Sequence, residues 1–281
     1  MKLYRDFTSQ EEIDREYNPG PAVSDSAARI EGWTARSAAA RASLPCRLGV
    51  AYGPTRDEYL DIFPSAEPAP VHVFIHGGYW RRFTAREHSF VAPPLVAAGV
   101  AVVIVNYALC PAVTIDEIVR QVRASIAWVR RNAASFGGDP ERISVSGHSA
   151  GGHLTAMALA TDWQGAYDLP ADTLKAGLPI SGLFDLAPFP YSFLQPALQL
   201  DWGQVRRNSP IGLSPPPGIP VTVAVGGSES AEFRRQSAAL VEAWTGSRYL
   251  ELPGCNHFTV LEELERAGSP LFAALLDLAR G

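Results

Sequence analysis

The chain has 281 residues, of which 47% are hydrophobic and 19% are charged, and its formal net charge is −5. This length is enough to bury one sizeable core, and α/β folds of this size often form a single domain. No stripe of lysine and arginine stands out, which argues against a nucleic-acid partner. Cys46, Cys110 and Cys255 are too few and too scattered for a disulfide framework or a zinc site, and they indicate reduced thiols in a cytoplasmic protein.

The first part of the chain is expected to be helical. Residues 1–14 are charged and lack the apolar core of a signal peptide, and residues 24–42 show the spacing of an amphipathic helix. Three residues of that helix are expected to face inward, namely Ile30, Trp33 and Ala38. We interpret residues 1–45 as a helical cap segment of one domain that covers residues 1–281.

From residue 47 onward eight strands are expected, and the later ones alternate with helices. Turn residues 53–55 join the first two strands and predict an antiparallel hairpin. Strands that alternate with helices predict a mostly parallel sheet covered on both faces. The expected strands are residues 47–52, 59–63, 71–75, 101–105, 143–146, 178–180, 221–225 and 248–252. The expected helices are residues 87–98, 115–129, 150–161, 259–266 and 270–280.

Two stretches between these elements are unusual. Residues 95–113 are uncharged and long enough for a membrane span. Gly99, Asn106 and Pro111 interrupt them, so we expect a helix end and a buried strand there, and no membrane association. Residues 182–220 are rich in proline and aromatic residues, and an irregular excursion of this length is typical of a lid or pocket wall.

A nucleophile elbow is indicated by Gly147-His148-Ser149-Ala150-Gly151, which lies between an expected strand and an expected helix. Such a turn exposes the serine hydroxyl and points it at the helix N-terminus, whose free amides favour negative charge. A serine hydroxyl needs a base that removes its proton as it attacks. We therefore expect Ser149 to be the nucleophile of a hydrolase.

A second glycine-rich motif, His76-Gly77-Gly78-Tyr79-Trp80, follows an earlier strand. A turn of this kind can aim backbone N–H groups at the oxyanion that develops during attack on a carbonyl. The predicted oxyanion hole uses the amide of Ala150 together with amides from Gly77, Gly78 or Tyr79.

The other two members of a catalytic triad are expected later in the chain. His257 follows the last strand, where the order of a serine hydrolase of this topology places the general base. Glu229 follows strand 221–225 and could accept the second ring N–H of His257, which would fix the tautomer. Two other carboxylates stay open as the acid: Asp185, after the preceding strand, and Glu232, which could instead begin the next helix.

Three motifs, at residues 76–80, 136–140 and 147–154, together resemble those of the α/β-hydrolase esterases related to hormone-sensitive lipase. Within that group the Tyr79-Trp80 ending is most similar to the serine-type kynurenine formamidases, or arylformamidases. Residues 16–19 and 229–233 strengthen this similarity. The resemblance implies an α/β-hydrolase fold with a small lid and a Ser-Glu-His triad, although the family more usually has aspartate as the acid.

The resemblance also implies a small-molecule aryl amide or ester as substrate, with N-formylkynurenine as a candidate. We expect Tyr79, Trp80 and Phe184 to stack on the aryl group, unless these rings complete the core instead. An arylformamidase is the first expectation, a broad carboxylesterase the second, and a protein of this fold that binds a ligand without turnover the third. No metal cluster or dinucleotide motif occurs in the sequence, so no metal or cofactor is expected. The sequence leaves the oligomeric state open, and a homodimer is one of the alternatives.

Overall fold

A computed structural model describes residues 2–66 and 68–281 of the chain. The strands are β1 (Arg47–Ala51), β2 (Tyr59–Phe63), β3 (Ala69–Ile75), β4 (Ala101–Val105), β5 (Gly138–His148), β6 (Ala176–Ile180), β7 (Thr222–Gly226) and β8 (Arg248–Leu252). They form one sheet in the order β1-β2-β4-β3-β5-β6-β7-β8. Strand β2 runs antiparallel to β1 and β4, and the other neighbours are parallel. The predicted hairpin and mostly parallel sheet are confirmed.

Helices cover both faces of this sheet. The α-helices are α1 (Gln10–Tyr17), α2 (Pro19–Ala22), α3 (Ser26–Ser43), α4 (Ala92–Ala97), α5 (Ile115–Asn132), α6 (Ala150–Leu159), α7 (Trp163–Tyr167), α8 (Gln195–Leu198), α9 (Trp202–Arg207), α10 (Ala231–Ala243), α11 (Thr259–Glu262) and α12 (Pro270–Arg280). Within residues 2–66 and 68–281, no helix combines the length and the apolar character that crossing a membrane requires.

The alternation of side chains along the strands produces two cores, one on each face of the sheet. In β3, Val73 and Ile75 pack into the core beneath α5, α6 and α10, whereas Phe74 packs into the core beneath α3, α4 and α12. All three side chains are fully buried. A parallel strand covered on both faces must be apolar on both sides, which explains the continuous run of apolar residues in the sequence.

Two local expectations were wrong. The predicted helix at 87–98 is instead a pair of 3-10 turns, Ala85–Glu87 and Ser89–Val91, followed by the short helix α4. Pro93 and Pro94 explain the late start, because proline fits the first turn of a helix but lacks the N–H that a helix interior needs.

The inward face of α3 also differs from the expectation. Trp33 is buried as predicted, but Ser37 and Ala40 complete the buried face, and Ala38 is exposed. Residues four and seven positions after Trp33 lie on its side of a helix, whereas the position five after it is rotated away.

Candidate active site

Ser149 occupies the turn between β5 and α6 with a backbone conformation of φ 59° and ψ −120°. A positive φ is unfavourable for a residue with a side chain, and it persists only where the surroundings impose it. Here the Ser149 amide donates a hydrogen bond to the carbonyl oxygen of Ile180 at 2.9 Å, and α6 begins at the next residue. The sheet and the helix therefore hold the elbow in its strained form.

Two glycines make this tight turn possible. A Cβ atom on Gly151 would lie 2.0 Å from the carbonyl oxygen of Ile75, and one on Gly147 would lie 2.4 Å from the carbonyl oxygen of Gly151. These neighbours are backbone atoms of β3 and α6, which cannot move aside without disturbing the sheet or the helix. The Gly-x-Ser-x-Gly spacing is thus a steric requirement of the elbow.

His257 and Glu229 lie together although 28 residues separate them in the sequence. The Nδ1 atom of His257 and the Oε2 atom of Glu229 are 2.6 Å apart. The second carboxylate oxygen, Oε1, accepts hydrogen bonds from the amide of Gly226 at 2.8 Å and the hydroxyl of Ser181 at 2.5 Å. The carboxylate is completely buried, so these donors hold it in one orientation against the imidazole.

Ser181 was not anticipated from the sequence. It directly follows β6, and Glu229 lies three residues beyond the end of the adjacent strand β7. Loops that follow neighbouring parallel strands meet at one edge of a sheet, so a polar residue after β6 was a usable signal.

The two alternative carboxylates have other partners. Asp185 accepts a hydrogen bond from the hydroxyl of Tyr4 at 2.8 Å. Glu232 accepts one from the hydroxyl of Tyr17 at 2.7 Å and also pairs with Arg235 at 2.7 Å. The position of Glu232 in the first turn of α10 agrees with its expected helical role.

Ser149 and His257 both line a cavity of about 420 Å³. Part of its wall comes from the N-terminal segment, which contributes Asn18, Pro19, Gly20, Ser26, Ala27, Ile30, Glu31 and Trp33. From residues 182–220, all of which the structure describes, Phe193 is the one wall residue. The polypeptide before the sheet therefore encloses the candidate site more extensively than the aromatic excursion does.

The glycine-rich loop after β3 approaches the elbow closely. A Cβ atom on Gly77 would lie 2.6 Å from the carbonyl oxygen of His148 and 3.1 Å from the Cβ atom of Ser149. Gly78 and Tyr79 have φ values of 104° and 53°. Consecutive residues with unusual φ can turn their amides toward one point, as anion-binding loops do.

The amides required for an oxyanion hole have no competing acceptor. In the described ranges, no backbone or side-chain group accepts a hydrogen bond from the amides of Gly78, Tyr79 or Ala150. Ala150 is the first residue of α6, where an amide has no partner within its own helix.

Comparison with known proteins identifies the family. A family model named BD-FAE matches residues 60–173. Kynurenine formamidase of Salmo salar is 30% identical over 99% of each chain. This chain belongs to the kynurenine formamidase family. It is therefore a hydrolase with the α/β-hydrolase fold, of the formamidase or carboxylesterase type.

Two other similarities agree with hydrolase activity. Esterase LipQ of Mycobacterium tuberculosis is 32% identical over 81% of this chain and 59% of its own length. A solved structure from Silicibacter sp. TM1040, provisionally titled a thioesterase, has a TM-score of 0.85 and 31% identity over 96% of this chain and 99% of its own.

Three aromatic residues were expected to contact substrate in this member of the kynurenine formamidase family, and the structure brings one of them to the cavity. Tyr79 lines the wall, with its hydroxyl hydrogen-bonded to the carbonyl oxygen of Tyr17. Trp80 and Phe184 are fully buried in the core, and the Trp80 indole N–H donates to His153 at 3.2 Å. The structure does not support a substrate-binding role for Trp80 or Phe184, because neither ring reaches the cavity.

Two further histidines lie beside the candidate triad. The ring of His148 is 4.6 Å from that of His257, and burial holds the pKa of His148 well below its usual value. Burial also lowers the pKa of His88, to about 4. Both rings are therefore neutral near pH 7, and they add no positive charge to the cavity wall that they share.

Proposed function

We propose that this hydrolase removes a small acyl group, present as a formamide or a short ester, from an aryl substrate through an acyl-enzyme on Ser149. The observation that carries the proposal is the buried His257–Glu229 pair, 2.6 Å apart, beside the cavity that Ser149 also lines. An imidazole that is oriented by a carboxylate and that shares a cavity with a serine is the arrangement that serine hydrolases use on unrelated folds.

In the proposed first step, the Oγ atom of Ser149 attacks the substrate carbonyl carbon while its proton passes to Nε2 of His257. Glu229 holds the proton on Nδ1, so that Nε2 is free to accept, and it stabilises the imidazolium that forms. The carbonyl oxygen becomes an oxyanion, which the amides of Ala150 and of Gly78 or Tyr79 stabilise.

The intermediate then collapses. The C–N or C–O bond to the aryl group breaks, and His257 donates its proton to the leaving nitrogen or oxygen. Water, deprotonated by His257, attacks the acyl-enzyme and the bond from the acyl carbon to Ser149 Oγ breaks. His257 returns its proton to Oγ, which restores the Ser149 hydroxyl and releases the acid.

The cavity supports an aryl substrate with a small acyl group. Its volume of about 420 Å³ suits one substituted ring, and its aromatic wall residues are Trp33, Tyr79, Phe83, Phe193 and Phe258. The name of the Salmo salar relative makes N-formylkynurenine the first candidate substrate. A broad carboxylesterase is the second candidate, because amide and ester cleavage pass through the same kind of tetrahedral intermediate. Ligand binding without turnover is the third.

We assign the two segments outside the regular α/β pattern to different tasks within a single domain. Residues 1–45 act as a cap over the cavity, since eight of them line it. Residues 182–220 act as an outer wall that reaches the cavity through Phe193. Three free cysteines support a cytoplasmic location.

A hydrolysis panel tests the function. We expect kcat/KM to be highest for N-formylkynurenine, lower for p-nitrophenyl acetate and lowest for a long-chain p-nitrophenyl ester, and we expect Ser149→Ala to abolish all three activities. A preference for p-nitrophenyl acetate would favour the carboxylesterase, and a preference for the long-chain ester would contradict both assignments. If the wild type turns over none of these substrates, ligand binding without turnover becomes the favoured function.

A further inference from the structure

The wall of the cavity carries two arginines, Arg81 and Arg82, and one carboxylate, Glu31, in a protein whose net charge is −5. Within residues 2–66 and 68–281, neither guanidinium pairs with a carboxylate. Other arginines of the protein form ion pairs with carboxylates, for example Arg235 with Glu232. The cavity is thus a place where positive charge lacks a partner from the protein.

Arg81 is the better placed of the two. Its Nε atom is buried and has no hydrogen-bond partner among the described residues. Its guanidinium lies 5.5 Å from the centre of the Phe193 ring, which also lines the cavity. Arg82 is exposed and packs on Phe83 at 5.2 Å. A buried N–H without an acceptor is unfavourable, so a ligand that accepts a hydrogen bond from Arg81 would gain stability there.

The chemistry of that ligand follows from the shape of the side chain. A guanidinium presents a planar fork of donors that matches a carboxylate, and stacking on Phe193 limits the orientations of the fork. The neighbouring imidazoles of His88 and His148 are neutral and add no charge of their own. Glu31 repels an anion, which favours a position of the carboxylate nearer to Arg81.

We propose that Arg81 binds a carboxylate on the aryl part of the substrate and thereby makes the enzyme selective for anionic aryl formamides and esters. The inference rests on the proposed function, in which the acyl group that Ser149 removes is a formyl or acetyl group. Such a group carries no charge. The carboxylate must then belong to the leaving group, which stays in the cavity while Ser149 attacks the carbonyl.

A matched pair of esters tests this inference: meta-acetoxybenzoate and its uncharged methyl ester. We expect the wild type to have the higher kcat/KM for the anion. Arg81→Met should lower kcat/KM for the anion by about 10- to 100-fold, mainly through KM, because a hydrogen bond to a charged group contributes about 1.5–3 kcal/mol. The methyl ester should change by less than about threefold, which also shows that the variant is folded and active.

Arg82→Met is the matched control, since it removes the same charge from the adjacent, exposed position. It should change the ratio of the two kcat/KM values by less than about threefold, because an exposed charge is screened by solvent. Arg81→Lys keeps the charge without the planar fork and should recover only part of the selectivity.

The outcomes separate the inference from the function on which it rests. The role of Arg81 is refuted if Arg81→Met lowers both substrates equally, or if Arg82→Met changes the ratio as much as Arg81→Met does. Wild-type hydrolysis of the methyl ester in those cases would leave the proposed function intact. If the wild type hydrolyses neither ester, the proposed function fails and the inference fails with it.

Discussion

Replacement of Gly77 by alanine should move the amides of the glycine-rich loop away from the amide of Ala150, the other part of the proposed oxyanion hole. The new Cβ atom would lie 2.6 Å from the carbonyl oxygen of His148, whereas ordinary contact begins at 3.4 Å. One of the two backbones must therefore move by about 0.8 Å. The Ser149 Cβ atom would lie 3.1 Å from the added Cβ atom, so the loop cannot relax by moving toward the elbow.

A displacement of this size is large for a site that positions reacting atoms. An oxyanion donor acts at about 2.7–3.1 Å, and loss of one donor lowers the rate by about 100- to 1,000-fold. We expect Gly77→Ala to lower kcat within that range, with a smaller effect on KM, because the oxyanion exists in the transition state and not in the bound substrate.

The assay is hydrolysis of p-nitrophenyl acetate, with circular dichroism to confirm that the variant is folded. Gly212→Ala is the control, because an added Cβ atom there meets nothing within 4 Å and the backbone φ is ordinary. Gly212→Ala should keep wild-type activity. A folded Gly77→Ala variant with kcat within about threefold of the wild type would refute the steric argument and the role of this loop.

Two more predictions follow from buried groups. Ser181→Ala removes one of the donors that hold Glu229, and should lower kcat/KM about tenfold, whereas Ser144→Ala, at a buried serine beside His72, should not. Burial lowers the pKa of His72 and His76 to about 3, while the unfolded chain titrates near 6.5. Stability is therefore complete above about pH 6.5 and decreases below it by about 1.4 kcal/mol per histidine per pH unit. Equal urea midpoints at about pH 7.5 and 5.5 would contradict this.

Much of the fold can be predicted from the sequence, because the strands alternate with helices and the central strands are apolar on both sides. Residues 71–75 had to lie between two layers of helices, and β3 does. The irregular start of α4 was missed, since the effect of Pro93 and Pro94 was not weighed against the helical spacing.

The candidate site divides in a similar way. Chain order and local motifs are enough to nominate Ser149 and His257, but they leave three carboxylates open as the acid. The contact that distinguishes Glu229 from the other two depends on how the loops after adjacent parallel strands meet His257. The sequence does not tell a ring that lines a cavity from a ring that fills a core. Trp80 illustrates this, because only the tertiary structure shows that its ring is buried in the core and that its indole N–H contacts His153.

The sequence predicts a helical cap segment at residues 1–45, but it does not show which of these residues line the cavity. Helix α3 has a buried face of ordinary amphipathic spacing, and nothing local shows that Trp33 lies 5.9 Å from Phe258, beside His257. The position of α3 against its neighbours is set by the packing of the whole domain.

The central claim is that Ser149 becomes covalently acylated with the help of His257 and Glu229. Mass spectrometry after acid quenching of a reaction with p-nitrophenyl acetate tests it most directly. The account predicts one acetyl group on the peptide that contains Ser149, and none on that peptide in Ser149→Ala or His257→Ala. Turnover at the wild-type rate by Ser149→Ala, or an acetyl group carried by another residue during turnover, would contradict it.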